Sequence, residues 1–365
     1  MRIAAILAIM ILSDSMILSD NVYSAEPKIA PLPHPENILT RIAFGSCADE
    51  ELPQPIWNTI ASESPELFLF MGDNVYADRN RGRSVENFTR AELEYAYGVL
   101  DKHADFAPFR TSVPMLSTWD DHDFGKNDAG VEFGLKVDAK ELMLETLGVP
   151  QDTEMVTRPG VYHAATFGPS GRRIQVIMLD TRWFRSGLKE SDEPGVVGKE
   201  RYVPDADPTK TMLGIAQWAW LKEQLEQPAD LRILVSSIQV IADGHGWEAW
   251  RTMPLEREKL FSLIRDSGAS NTVVLSGDRH VGGLYRQDIG SGIILTEITS
   301  SSLNLPWSNW NPDKERVEET GPNQVGDLYG EANYGILDID WTSRQVIGML
   351  KSETGEAQRR VNVAF

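Results

Sequence analysis

Cysteine is nearly absent from this sequence: Cys47 is the only one among 365 residues. A single thiol excludes an intramolecular disulfide, so the fold must be stabilised by its core. A composition of 41% hydrophobic and 24% charged residues is typical of a globular chain that buries a large core. Cys47 is therefore a buried inert thiol, a free reactive thiol or a metal ligand.

Positive charge is also scarce, with 35 Lys and Arg residues against 54 Asp and Glu residues and a formal net charge of -19. This balance argues against nucleic acid or an anionic membrane as the main partner. The excess of carboxylates is compatible with sites for cations. Internal repeats and low-complexity segments are absent as well.

The only apolar run that resembles a targeting signal lies at the N-terminus. Residues 1–25 combine Arg2, an apolar run from Ile3 to Leu12 and small residues near Ala25, which predicts a secretory signal peptide. The run is too short to span a bilayer, so we expect no stable membrane anchor. A periplasmic or secreted location follows as an expectation.

The domain is expected to start after a proline-rich segment. Residues 26–39 contain four prolines and predict a linker, and residues 40–365 then form one catalytic domain. Apolar runs typical of buried strands alternate there with helical patterns, which predicts an α/β fold. In one helical pattern Trp218, Leu221 and Leu225 share a face.

The chain becomes richer in β-type patterns after Gly292. Four apolar segments follow, "GIILTEITSS", "NYGILDIDW", "QVIGMLK" and "RRVNVAF". Their composition and spacing predict antiparallel strands of a second sheet.

Polar residues of metal-ligating type follow four of the apolar runs. They are Asp73 with Tyr76, the group Asp120, Asp121, His122 and Asp123, the pair Asp180 and Arg182, and the pair Asp278 and His280. Groups at the carboxyl ends of strands converge on one crevice in open α/β sheets, which suggests a shared metal site. A single Asp after a strand is more often a turn or helix cap. Three carboxylates within "DDHD", however, repel one another unless cations or hydrogen bonds compensate them.

The ordered motifs "FGSC", "GDNVY", "WDDHD", "LDTR", "QWAWL", "SSIQV" and "SGDRH" resemble the alkaline phosphatase D (PhoD-like) family of the calcineurin-like metallophosphoesterases. The resemblance extends from about Arg41 to near residue 340. It implies a four-layer α/β/β/α sandwich of two mixed β-sheets with a metal centre at the sheet edge. It also implies a phosphoric ester hydrolase.

The resemblance implies six metal ligands: Cys47, Tyr76 and His280 for iron(III), Asp73 between the iron and a calcium ion, and Asp121 and Asp278 for calcium. Thiolate, phenolate and imidazole suit a transition metal, and carboxylates suit a hard ion such as Ca²⁺. Zn²⁺, Mn²⁺ and Co²⁺ are alternatives. For Cys47, a small buried residue after a strand is the competing interpretation.

Two further residues are candidates for catalysis. A water held by the metals is expected to lose a proton, and the resulting hydroxide to attack phosphorus. By analogy with the superfamily, His122 would hydrogen-bond the phosphate or protonate the leaving group. Arg182 would clamp a non-bridging oxygen, and a structural salt bridge to Asp180 or a helix carboxylate is its alternative.

Other residues are expected around the centre. Asp120, Asp123, Asn127 and Gln239 are candidates for ligand orientation or further metal contacts, and Asp128 lies in the same stretch as Asn127. His245 and Trp247 are predicted at the substrate rim, where Trp250, Trp307 and Trp310 are further aromatic candidates. Residues 185–211 are longer than an ordinary connection and predict a lid or rim.

These patterns together predict an alkaline phosphomonoesterase with phosphodiesterase as a second activity. Its substrate would be a small organic phosphate ester. A phosphodiesterase, phosphotriesterase or phospholipase-type hydrolase on the same centre is the enzymatic alternative. A catalytically inactive metal-binding domain is the non-enzymatic one, and a turnover assay before and after chelation distinguishes them.

Overall fold

The computed structural model describes residues 29–79, 88–314 and 317–365. The predicted signal peptide, residues 1–25, lies outside the described residues. None of the helices within these ranges has the length and apolarity needed to cross a membrane.

The described part of the proline-rich segment runs along the surface of the domain. The amide of Ala30 donates a hydrogen bond to the carbonyl of Arg110, and the amide of Gly168 donates one to Pro35, each at 2.7 Å. Leu39 is buried. These contacts attach the segment to the domain, while its role as a linker stays a prediction.

The described residues form twelve strands: β1 (Arg41–Gly45), β2 (Leu67–Met71), β3 (Met115–Thr118), β4 (His163–Phe167), β5 (Ile174–Met178), β6 (Leu231–Ser236), β7 (Thr272–Ser276), β8 (Gly282–Asp288), β9 (Ile294–Ser300), β10 (Asn333–Asp340), β11 (Gln345–Ser352) and β12 (Ala357–Ala364). One sheet has the order β12-β11-β10-β1-β2-β3 and the other β4-β5-β6-β7-β9-β8. Both contain parallel and antiparallel pairs.

Eight helices lie in the described ranges: α1 (Ile56–Ser62), α2 (Arg90–Asp101), α3 (Phe106–Ser112), α4 (Asp121–Phe124), α5 (Lys136–Thr146), α6 (Glu154–Thr157), α7 (Gly214–Leu225) and α8 (Pro254–Asp266). Short 3₁₀ turns occur at Trp250–Thr252 and Trp307–Asn309. Trp218, Leu221 and Leu225 of α7 are buried together, as the helical pattern predicted.

Side chains alternate between the two faces of each buried strand, and this alternation separates the layers of the fold. In β2, Phe68 and Phe70 pack under the first group of helices, while Leu69 and Met71 face the opposite sheet. Side chains of successive strand residues point to opposite faces, so a strand that is apolar throughout contacts two cores. The predicted α/β sandwich of two mixed sheets is confirmed.

The predicted antiparallel pairing is confirmed for β10, β11 and β12, but the prediction that all four C-terminal segments form one second sheet is wrong. β9 lies parallel to β7 in the sheet of β5 and β6, while β10 pairs antiparallel with β1 in the other sheet. The reason is that alternating apolar patterns identify a strand but carry no information about its neighbour. The first and last strands of the domain thus share one sheet.

Candidate metal centre and active site

Four candidate ligands immediately follow strands and have left-handed backbone conformations. The φ angles are 61° for Cys47, 50° for Asp73, 72° for Asp278 and 57° for His280. Non-glycine residues with positive φ are uncommon, and such conformations cost on the order of 1–3 kcal/mol each. The turns after β1, β2 and β7 retain these side chains where glycine would be less strained, which is characteristic of functional sites.

One half of the site brings sulfur, phenol and imidazole groups around Asp73. The Cys47 Sγ lies 3.4 Å and the Tyr76 hydroxyl 3.0 Å from Oδ2 of Asp73. Ligating atoms of Cys47, Asp73 and His280 lie within 4.8 Å of one another. Because Cys47, Asp73 and Tyr76 are almost fully buried, a cation bound there would be well removed from bulk water.

The ring of His280 has a fixed orientation. Its Nδ1 lies 2.6 Å from the carbonyl oxygen of Leu305, and its backbone amide donates to the hydroxyl of Ser301. Burial, assisted by the charge of His122, lowers the pKa of His280 to about 3. The neutral ring donates from Nδ1, so Nε2 retains the lone pair that a metal ligand requires.

The other half of the site is a cluster of carboxylates. Ligating atoms of Asp120, Asp121 and Asp278 lie within 4.8 Å of one another, and so do those of Asp73, Asp121 and His122. Burial and repulsion from neighbouring carboxylates raise the pKa of Asp73 and Asp278 well above the usual range. Burial also raises the pKa of Asp120, to about 7, although Arg182 opposes the shift.

Unpartnered oxygens test whether these residues fit metal ions. Oδ1 of Asp73 and Oδ2 of Asp120 are buried without a hydrogen-bond partner among the described residues. Burial and the charge of Asp73 raise the pKa of both Cys47 and Tyr76. Buried acceptors and crowded anions of this kind are costly unless a cation compensates them. The donor types and their shortage of partners therefore fit a pair of cations.

His122 contacts a carboxylate that the sequence patterns did not single out. Its Nδ1 lies 2.5 Å from Oδ1 of Asp78, and its ring centroid is 4.4 Å from that of Tyr76. Burial disfavours the charged ring, but Asp121, Asp78 and Asp73 together raise the pKa of His122 well above its usual value. Because Nδ1 is engaged, Nε2 is the nitrogen available to a ligand.

Arg182 is part of a buried ionic network. Its Nε donates to Asp120 at 2.6 Å and its Nη1 to Glu248 at 2.6 Å. Arg185 adds an ion pair to Glu248 at 2.8 Å. The guanidinium is fully buried, a geometry that favours the structural alternative over the phosphate clamp.

Asp180 does not serve as the partner of Arg182 that the sequence suggested. Its carboxylate accepts backbone N–H groups of Val161, Arg182 and Trp183, each at 2.9 Å. This pattern organises the turn after β5. The salt-bridge partners are Asp120 and Glu248 instead.

Two of the proposed supporting residues have clear positions. The carboxylate of Asp123 accepts the amide of Asp120 at 2.5 Å and that of Asn74 at 3.1 Å. It thereby caps α4 and fixes the backbone beside Asp121. Asn127 is exposed, and its backbone N–H group donates a hydrogen bond to Oδ2 of Asp78 at 2.7 Å.

The structure contradicts the placement of His245 at the substrate rim, because that residue is only 1% exposed. Its Nε2 lies 2.8 Å from the amide oxygen of Gln239, and its Nδ1 accepts the amide of Trp247. The amide nitrogen of Gln239 donates to Tyr285 and Thr299, both at 3.0 Å. The loop after β6 turns its histidine inward, where it supports Gln239.

Two indoles remain accessible near the centre. Trp247 is 39% exposed and Trp310 is 51% exposed. The guanidinium of Arg279, between Asp278 and His280 in sequence, lies 5.7 Å from the Trp247 ring centroid. The ring centroid of Trp310 lies 4.6 Å from that of His280. The other aromatic candidates differ: Trp250 is fully buried and Trp307 is half-buried.

The predicted lid or rim, residues 185–211, is anchored to the carboxylate side. The hydroxyl of Tyr202 and the guanidinium of Arg201 each lie 2.7 Å from Oδ2 of Asp128. Asp128 in turn lies within 4.8 Å of Asp121 and Glu248, measured between ligating atoms. Glu248, like Asp78, is an isolated acidic residue in a loop, and no sequence pattern predicted its place in the site.

Comparisons with known proteins identify the family of the chain. The model of the PhoD-like phosphatase family matches residues 42–349. Alkaline phosphatase D of Bacillus subtilis (strain 168) is 24% identical over 289 residues, which cover 69% of this chain and 48% of the relative. The chain therefore spans about half the length of that curated relative.

Solved structures show the same fold. A structure of PhoD has a TM-score of 0.69 at 19% identity, with 91% of this chain and 70% of that chain covered. The structure of GAP50, described as the anchor in the inner membrane complex of Plasmodium, has a TM-score of 0.57 at 12% identity, with 90% of each chain covered. At these identities the likeness concerns architecture alone.

Proposed function

The chain belongs to the PhoD-like phosphatase family, and on that premise we propose that it hydrolyses phosphate esters at the site around Asp73. The observation that carries the proposal is the position of the Asp73 carboxylate. It lies beside Cys47 and Tyr76 on one side and beside Asp121 on the other. A buried carboxylate between two different donor sets is suited to bridge two cations.

Cys47, Tyr76 and His280 would hold iron(III), Asp121 and Asp278 would hold calcium, and Asp73 would serve both. Such ions lower the pKa of water towards neutrality and neutralise the charge of a phosphate. The fixed Nδ1 bond of His280 supports this assignment, because it leaves Nε2 free to ligate. Zn²⁺, Mn²⁺ or Co²⁺ in either position are outcomes that elemental analysis distinguishes.

His122 is the proposed proton donor. Asp78 holds its Nδ1, and the surrounding carboxylates favour the protonated ring. The proton at Nε2 would pass to the leaving alcohol oxygen as the ester bond breaks. Asp123 contributes by fixing the start of α4, the helix that carries both Asp121 and His122.

Arg182 would act on the substrate only through the residues it holds. Its contacts with Asp120 and Glu248 fix two carboxylates next to the ligand Asp121. We assign it a positioning role, in preference to the phosphate clamp. Gln239 and His245 would support the wall behind the site, since both are buried.

The rim suggests the substrate class. The exposed indoles of Trp247 and Trp310 offer stacking surfaces for an aryl or nucleoside leaving group. We propose small organic phosphate monoesters as the principal substrates and diesters as secondary ones. The predicted signal at residues 1–25 supports export to the periplasm or beyond.

The first experiment combines metal analysis with turnover. The purified protein is analysed for iron and calcium, and hydrolysis of p-nitrophenyl phosphate and bis-p-nitrophenyl phosphate is measured before and after chelation. We expect both metals and faster monoester turnover that chelation abolishes. Faster diester turnover would reassign the chain as a phosphodiesterase, and bound metals without product would indicate an inactive metal-binding domain.

A matched pair of variants connects the metals to named residues. Cys47→Ala should lose iron and activity together, because a methyl group cannot ligate. Ser46→Ala changes the neighbouring hydroxyl, whose oxygen lies 3.5 Å from the Cys47 sulfur, and should retain iron. Iron content unchanged in Cys47→Ala would refute the ligand role and return this residue to a buried thiol.

A further inference from the structure

A cavity of about 670 Å³ lies apart from the candidate metal centre. It opens between β3 and β4, the edge strands on the same side of the two sheets. Residues of α5, α6 and α7 and the segment Ile29–Leu32 complete its wall. None of the candidate metal ligands lines it, so its role is separate from ester hydrolysis. Its size is within the range of small-molecule sites.

The wall of this cavity is largely apolar. Met115 and Leu116 come from β3, Met143 and Leu144 from α5, and Trp220 from α7. Leucine and unbranched methionine side chains adapt to flexible hydrocarbon, and burial of such a ligand is favourable at about 25 cal/mol per Å² of apolar surface. The shape and lining thus suit an alkyl chain.

A cation with incomplete compensation lies in the same wall. The Nε of Arg158 is buried without a partner among the described residues. Its guanidinium lies 4.0 Å from the Tyr162 ring centroid and 5.3 Å from that of Trp220. The acidic neighbour, Glu154, is 88% exposed and 3.5 Å from Nη1, so it compensates the charge weakly.

A second arginine of the wall, Arg110, already has an acidic partner. Arg110 is 5% exposed, and its Nε also lacks a partner within the described ranges. Its other nitrogens contact Asp101 and the carbonyl of Thr146. Among the residues that line the cavity, two are arginines and Glu154 is the one acidic residue. The ion pair with Asp101 balances Arg110, so Arg158 is the arginine of this wall whose acidic partner is almost fully exposed.

We propose that the cavity binds a single anionic amphiphile, a medium-chain fatty acid, with its alkyl chain against the Met and Leu wall and its carboxylate at Arg158. The guanidinium of Arg158 would offer Nη1, whose acidic contact is the exposed Glu154 at 3.5 Å, to a carboxylate oxygen. Charge-assisted bonds of this kind are stronger than neutral ones. The occupant is a dissolved molecule, because the site is a cavity between sheet edges rather than an exposed face.

Calorimetric titration of the full chain with dodecanoate and with dodecylammonium tests the proposal. Dodecanoate should bind at least tenfold more tightly, although the overall charge of the protein favours the cation. Arg158→Gln should weaken dodecanoate binding about tenfold and should not weaken dodecylammonium binding, because it removes a positive charge. Arg172→Gln removes a charge from an exposed residue outside the cavity and should leave both affinities unchanged.

A second variant identifies the location. Ala165 lies on the half-buried edge strand β4 and lines the cavity, so Ala165→Phe should fill it and abolish binding. Turnover of p-nitrophenyl phosphate should be unchanged in both variants, which also shows that they fold. Unchanged binding in Ala165→Phe would overturn the proposal by placing the ligand elsewhere. Equal affinity for the two amphiphiles would overturn the proposal, and so would the absence of any binding.

Discussion

Nδ1 of His122 and Oδ1 of Asp78 lie 2.5 Å apart, and the second oxygen of Asp78 accepts the amide of Asn127. A backbone N–H group thus fixes the Asp78 carboxylate, and the carboxylate in turn fixes the imidazole ring of His122. A fixed ring presents Nε2 in one direction, and the adjacent negative charge retains the proton on the ring. This pair is the most direct link between the loop after β2 and the chemistry proposed for α4.

Asp78→Asn should reduce kcat by about ten- to hundredfold, because it removes the charge that retains the proton on His122. Iron and calcium contents should not change. His122→Ala should also retain both metals and lose turnover, and the double variant should be no slower than His122→Ala, since the two residues act as a unit. Metal loss in either single variant, measured by elemental analysis, would contradict these roles.

Arg182→Met should lower the free energy of unfolding by about 3–5 kcal/mol, because Asp120 and Glu248 then lose their buried cation. Chemical denaturation measures this change. Arg344→Met, at a surface ion pair 3.6 Å from Asp230, is the control and should cost less than about 1 kcal/mol. Unchanged stability together with a raised KM would instead support the phosphate clamp.

Trp247→Ala should raise KM for p-nitrophenyl phosphate about three- to tenfold, the loss expected for one aromatic stacking contact. An alkyl ester such as glycerol 2-phosphate has no ring to stack, so its KM should stay the same. Steady-state kinetics on both substrates measures the difference. Equal effects on the two esters would mean that the indole shapes the site without contacting the leaving group.

His163 gives the stability a pH dependence. Burial lowers its folded-state pKa to about 4, and its Nδ1 lies 2.9 Å from the carbonyl of Val161. The unfolded chain therefore binds a proton between about pH 6.5 and the folded pKa, while the folded protein does not. Above pH 6.5 His163 therefore does not reduce the free energy of unfolding. As the pH falls from about 6.5 towards 4, protonation of the unfolded chain lowers that free energy.

The matching measurement is the free energy of unfolding at pH 6.5 and at pH 4.5. His163→Gln should reduce the decrease between these values by about 2 kcal/mol. His34→Gln alters an exposed histidine and should leave the decrease as it is. If the free energy of unfolding of His163→Gln decreased as much as that of the wild type, His163 would be excluded as the source of the pH dependence.

Local patterns predicted most of the strands, although not β4 and β8, and they did not identify the partner of each strand. The runs around Phe44, Leu69 and Leu275 are apolar throughout because each strand contacts two layers. A continuous apolar run of this length is the sequence pattern of such a strand. That β10 lies beside β1 depends on long-range contacts such as the Arg41–Asp338 ion pair at 2.7 Å. Neither residue carries a local signal for that contact.

The candidate site was predictable to a similar extent. Cys47, Asp73 and Asp278 could be identified because each follows a strand that ends at the shared crevice. Asp78 and Glu248 could not, since an isolated acidic residue in a loop has no periodicity. The inward turn of His245 also depends on the path of its loop, which the residue types do not encode.

The pairing of β1 with β10 also determines when the domain can be completed during synthesis. Arg41 and Asp338 are 297 positions apart, so β1 has no antiparallel partner until β10 has left the ribosome. Contacts of such large sequence separation slow folding and leave strand edges open to aggregation. The turn that carries Cys47 follows β1 directly, so the antiparallel neighbour of the strand before it is synthesised up to 297 residues later.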